Sequence, residues 1–129
     1  MIDNISKLEQ GKAEFAFECA QNANRESFKK EYKQYSKKLI TMIKTNGLGA
    51  TLAFILSKGD NAYNKLGDDI LGWLKESPGL GNTFNDVNNL DSFVSKVISL
   101  NSDKYFLVTA EVISFLGWLK RFSEGLIDG

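Results

Sequence analysis

Histidine is missing from the chain altogether. Its absence removes the commonest general base near neutral pH, the Ser–His and Cys–His nucleophile pairs, and most zinc or iron sites. Cysteine occurs once, at Cys19, so no intramolecular disulfide framework exists, which suits a reducing compartment. Proline also occurs once, at Pro78. The longest apolar run of note, Leu48 to Leu56, is far too short to span a bilayer. The opening MIDNISKLEQ puts acid and amide where a signal peptide needs an apolar segment. The expectation is a soluble, cytoplasmic protein with no membrane partner. Net charge is zero, so the molecule as a whole is not steered toward a polyanion.

What is present is helical periodicity. The 129 residues fit one domain (residues 1–129), large enough to bury a core without metals or disulfides. A hydrophobic share of 43% argues against disorder. Ile5, Leu8, Phe15, Cys19 and Ala23 recur at helical spacing, with Asp3 as N-cap and a break near Asn22 and Asn24. Gly11 inside this pattern weakens the helix by ~1 kcal/mol relative to Ala. A second stripe comprises Phe28, Tyr32, Tyr35, Leu39, Met42 and Ile43, closed by Asn46-Gly47. An apolar helix from about Ala50 to Lys58 follows. Asp60 then caps a stripe of Tyr63, Leu66, Ile70, Trp73 and Leu74, which Ser77-Pro78-Gly79 ends. Residues 79–89 read as the longest loop, with Phe84 and Val87 as anchors. Asn89 caps a helix carrying Phe93, Val94, Val97, Ile98 and Leu100. Ser102 caps the last, running to about Phe122, where Glu111 is the one charge between Tyr105 and Leu119. A helix this apolar is central. The fold class is all-α: about six helices packed antiparallel through short loops.

Four features invite a catalytic or ligand-binding reading, and each has a plainer one. Cys19 lies on an apolar stripe and reads as a core residue. Asp68 and Asp69 point about 100° apart on a helix, so they do not grip one metal ion together, and a solvated face is the simpler account. Glu111 suits the edge of its helix or an inter-helix hydrogen bond. Gly47-Leu48-Gly49 lacks the Walker spacing and a preceding strand, and reads as a tight turn between helices. No cofactor, metal or catalytic site is expected, and an enzyme is disfavoured.

The informative constellation is basic. From Arg25 to Lys44 there are seven bases, Arg25, Lys29, Lys30, Lys33, Lys37, Lys38 and Lys44, against two acids, Glu26 and Glu31. From Gly59 to Asp103 the balance reverses, with three bases against seven acids. A helical projection sets Lys29, Lys30, Lys33 and Lys37 opposite the apolar stripe. Backbone phosphates require positive charge at rough spacing only, so such a row suits sequence-independent nucleic-acid binding. A solvated lysine face is the alternative, yet ordinary solvent-facing helices intersperse both signs. Lys120 and Arg121 add a second basic pair, which the helix dipole alone would favour. A rival reading is a protein–protein adaptor whose lysine face meets an acidic partner, with Tyr32 or Phe84 in the contact.

One resemblance spans nearly the whole chain and is weakest across Gly79 to Asn89. Lys38-Leu39-Ile40-Thr41-Met42-Ile43, then Asn46-Gly47-Leu48-Gly49-Ala50-Thr51-Leu52-Ala53-Phe54 with Ser57-Lys58, resembles the signature of the small helical subunit of the Cmr complex. That complex is the type III-B CRISPR–Cas RNA-targeting effector. Thr109-Ala110-Glu111 leading into Trp118-Leu119-Lys120-Arg121-Phe122-Ser123-Glu124-Gly125-Leu126-Ile127 is similar too, as are Leu8-Glu9-Gln10 with Ala13 and Leu100-Asn101-Ser102-Asp103-Lys104-Tyr105. Ile40 stands where the family commonly has proline. The resemblance implies an all-α, non-nuclease subunit acting in antiviral defence. It implies several copies stacked along the crRNA–target RNA, with the backbone and large Cmr subunits and further copies of itself as partners. On that expectation Arg25, Lys29, Lys30, Lys33, Lys37, Lys38, Lys44, Lys120 and Arg121 contact the RNA backbone.

Overall fold

Apolar residues at helical spacing, punctuated by caps, set the elements seen in a computed structural model. It describes residues 2–128, with side chains from residue 7 onward. The elements are α1 (Ile2–Ala23), α2 (Lys29–Asn46), α3 (Leu48–Lys58), α4 (Asn61–Glu76), α5 (Gly81–Phe84), α6 (Leu90–Ile98) and α7 (Ser102–Leu126), with no strand among the described residues. The expected roles of Asp3 and Ile5 fall on side chains outside the described residues.

Capping chemistry explains most boundaries. Asp60 accepts from the Tyr63 N–H at 2.8 Å and Asn89 from the Ser92 N–H at 2.8 Å, as expected for N-caps. The last helix departs from expectation. Asn101, not Ser102, caps it by accepting from the Lys104 N–H. It also runs to Leu126, because no proline or turn-forming glycine stops it and Ile127 still packs inward. Helix α3 begins at Leu48 rather than Ala50. Gly47 alone therefore links α2 to α3, at φ 93° and ψ 161°, a region essentially reserved for glycine. Within the expected loop, α5 forms one turn, and Phe84 and Val87 are buried as anchors.

The core is built around α7. Val108, Val112, Phe115, Leu116 and Leu119 are wholly buried. Helices α1, α2 and α4 pack against α7, and α3 packs against α2, α4 and α6. Phe15, Trp73 and Phe115 form an aromatic cluster joining α1, α4 and α7, with centroids 5.8–6.4 Å apart. Tyr35 stacks on Tyr63 at 3.9 Å, tying α2 to α4. All the core residues form one continuous cluster.

Two buried polar networks join the helices, and periodicity could not show either. Lys12 is only 3% exposed. Its ammonium reaches Glu111 at 3.0 Å, Glu9 at 3.1 Å and the Ser114 hydroxyl at 2.8 Å. Trp73 donates to Glu111 at 2.7 Å and Trp118 to Glu9 at 3.1 Å, so three charges and two indoles satisfy one another. The hydrogen bonds from Trp118 and Lys12 hold the Glu9 carboxyl below its ordinary range. Glu111 thus makes the inter-helix bond expected of it. The second network corrects the solvated-face reading for Asp69, while Asp68 is exposed as expected. Asp69 is largely buried, accepts from the Tyr32 hydroxyl at 2.6 Å and pairs with Lys65 at 3.2 Å. Burial pushes its carboxyl above the usual range, against the pull of Lys65. Cys19 lies beside Asp69 as a buried core thiol, its ionisation likewise pushed up by burial.

Two stability predictions follow the geometry. Gly47→Ala forces a β-carbon into a glycine-only conformation and should cost about 1–3 kcal/mol in urea unfolding. Lys12→Met leaves Glu111 buried without its cation and should cost about 2–4 kcal/mol by the same measurement; no loss would show that the network contributes nothing net.

Candidate nucleic-acid interface

The basic row takes its place from the register of α2. Tyr32, Ser36, Leu39 and Ile43 are the buried residues of that helix, and Phe28, Tyr35 and Met42 pack partly against the core. Lys29, Lys33, Lys37 and Lys44 each follow an inward residue, Phe28, Tyr32, Ser36 or Ile43, by one position. One position turns about 100°, so Lys29 and Lys33 flank the buried stripe, while Lys37 and Lys30 lie further round toward the opposite, exposed face. That flank meets the end of α7.

Contacts between the two helices bear this out. The Lys33 ammonium donates to the Ile127 carbonyl at 2.9 Å, capping the C-terminal end of α7, where a cation complements the helix dipole. Lys33 is accordingly half-buried and committed to the fold, which corrects the expectation that its ammonium faces water. Lys37 lies 4.0 Å from Glu124 as a loose pair, its side chain 64% exposed. Surface pairs of that kind contribute ~0–1 kcal/mol and leave the charge available. Lys120 sits one turn before Glu124, on the same side of α7. Lys30 and Lys44 are exposed, Lys29 and Lys120 half-buried, and none of these four has an ion pair among the described residues.

Three of the expected residues lie apart from the row. Lys38 turns to the other side of α2, where its ammonium sits 5.5 Å from the centre of the Phe54 ring. Arg121 is about 100° round α7 from Lys120 and lines a shallow pocket with Ser114, Gly117 and Trp118. Arg25 is exposed in the turn between α1 and α2. Sequence reasoning missed Lys58, which lies 5.2 Å over the same Phe54 ring as Lys38. The i, i+4 spacing of Phe54 and Lys58 on α3 was the available signal. The adaptor reading also needs correction: Tyr32 and Phe84 are both wholly buried and cannot touch a partner.

The fold defines a class first: a small all-α protein assembled around one apolar helix, with much of its positive charge gathered on the flank of another. Residues 8–126 match the model of a CRISPR-associated protein family, Cas_Cmr5. The chain belongs to that family. It is 29% identical over 116 residues to the CRISPR system Cmr subunit Cmr5 of Thermus thermophilus, covering 90% of this chain and 92% of that protein. It also resembles the crystal structure of a CRISPR-associated Cmr5 family protein from the same organism. The TM-score is 0.77 at 26% identity, over 94% of this chain and 97% of the other. No described helix is long and apolar enough to cross a membrane.

Because Lys33 caps α7, Lys33→Met should lower unfolding stability by about 0.5–1 kcal/mol, whereas Lys30→Met should leave it unchanged within error. Paired thermal melts of the two variants check this, and equal melts would remove the capping role.

Proposed function

We propose that the chain is a non-catalytic small subunit of a type III-B CRISPR Cmr effector complex, acting in the cytoplasm as a single helical domain. Copies stack along the crRNA–target RNA beside the backbone and large subunits. The row of Lys29, Lys30, Lys37, Lys44 and Lys120 meets RNA phosphates without reading bases, and Arg25, Lys38 and Arg121 add contacts on neighbouring surfaces. Lys33 holds the end of α7 behind the row. The acidic segment from Gly59 to Asp103 faces the next copy or a neighbouring subunit.

The observation that supports this reading best is family membership across residues 8–126 together with a lysine row almost empty of carboxylate partners. Phosphate binding needs that arrangement, because a cation already paired gains less from releasing a counterion. Catalysis is assigned elsewhere because the chain has no histidine and the two most buried carboxylates among the described residues, Asp69 and Glu111, are engaged in hydrogen bonds within the core. A second reading, contact with protein alone, draws on Ile98, Phe106 and Leu107, which are 67%, 73% and 57% exposed. It predicts loss of assembly on polar substitution there with RNA affinity per assembled complex unchanged.

In the reassembled complex, Lys30, Lys37, Lys44 and Lys120 changed together to Glu should lower target-RNA affinity by at least ~10-fold at physiological salt. The slope of log affinity against log salt should flatten by roughly 0.7–0.9 for each phosphate no longer neutralised. Unchanged affinity and slope in a fully assembled complex would overturn the phosphate assignment.

A further inference from the structure

A groove of about 560 Å³ runs between α1 and the end of α4, away from the lysine row. Phe15 and Trp73 form its apolar base, with Leu8 and Pro78 alongside. Its exposed walls carry Glu14 and Glu18 from α1 and Glu76 from α4, against Lys7 as the one base among the described lining residues. None of the three glutamates has an ion pair among the described residues. Glu76 is also the last residue of α4, where the negative end of the helix dipole adds to its charge.

Gly11 also shapes the groove. It lies inside α1 on the groove lining, where glycine costs ~1 kcal/mol relative to alanine. Packing within this chain does not require it, since a β-carbon built at Gly11 meets nothing within 4 Å. The missing side chain leaves that stretch of the groove unobstructed.

We infer that this groove docks a basic amphipathic segment of another protein, an apolar side chain resting on Phe15 and Trp73 with lysines or arginines against Glu14, Glu18 and Glu76. Nucleic acid is repelled by the same walls. A second copy offers poorer chemistry: its basic row on α2 has its apolar neighbours turned into the core, and the bases beside its exposed Ile98 and Phe106 are countered by acids, Lys96 by Asp86 at 3.9 Å and Lys104 by the adjacent Asp103. Its exposed large apolar side chains, Phe17, Leu56, Ile98, Phe106 and Leu107, all lie on other helices. Helix-in-groove recognition of this kind pairs apolar anchors at helical spacing with charge along the rim.

The probe is a synthetic Leu/Lys peptide patterned as an amphipathic helix, titrated into the isolated chain and followed by amide-resolved NMR. The largest shifts are expected at Gly11, Phe15 and the Trp73 indole. Affinity should fall about ten-fold, equivalent to ~1.4 kcal/mol, in the triple variant Glu14→Gln, Glu18→Gln, Glu76→Gln, and comparably in Gly11→Leu. A scrambled peptide of the same composition should bind more weakly than the patterned one. If Gly11→Leu fails to fold, the triple variant decides, since its three side chains are exposed. No binding, shifts centred elsewhere, equal binding of the scrambled peptide, or indifference to the triple variant would each overturn the proposal. So would self-association in sedimentation that the triple variant abolishes, which would make a second copy the occupant. Because RNA is absent from this experiment, its outcome is independent of the phosphate assignment.

Discussion

Keeping α7 out of water governs the arrangement of everything else. Its inward side chains are wholly buried, and burying a Val, Leu or Phe side chain is worth roughly 1.5–3 kcal/mol. No single neighbour can cover a helix with so broad an apolar surface, so α1, α2 and α4 all pack against it. That demand fixes the rotation of α2. Once Tyr32 and Ser36 turn inward, Lys33 and Lys37, one position later, are carried toward the end of α7. Placement of the charged row is thus a consequence of core packing, reached without any contact among the lysines themselves.

Polar side chains then decide which of the possible helix arrangements is unique. Apolar packing tolerates sliding; a buried ammonium shared by Glu9, Glu111 and Ser114 does not. The indoles of Trp73 and Trp118 complete the two carboxylates, so α1, α4 and α7 are held in one register. The Tyr32–Asp69–Lys65 group does the same for α2 and α4. Charged groups of this kind often add little net stability against apolar replacements of equal size, and here they join fixed positions on three helices.

Much of this was legible in the sequence, and the remainder has identifiable causes. Helix existence, the Asp60 and Asn89 caps, the buried Cys19 and the anchors Phe84 and Val87 follow from short-range chemistry and were readable. Asn101 displaced Ser102 as a cap because both residues have suitable side chains and only backbone geometry chooses between them. Lys12 and Asp69 were misjudged or overlooked because long-range partners, on helices far away in the chain, are what make their burial tolerable. The lysine row was visible as composition. Its division into a row beside α7, a Lys38–Phe54–Lys58 group and an isolated Arg121 depended on which neighbours each helix meets.

The bond from Lys33 to the carbonyl of Ile127, itself only 1% exposed, has a practical side. It brings Ile127, just past the end of α7, out beside the lysines of α2. Anything fused there, whether an affinity tag, a fluorophore or a partner domain, emerges within reach of the surface assigned to RNA. A bulky or acidic fusion at that end would compete for the cations it was meant to help study. Attachment through an exposed side chain on the far side of α3 would leave them uncovered.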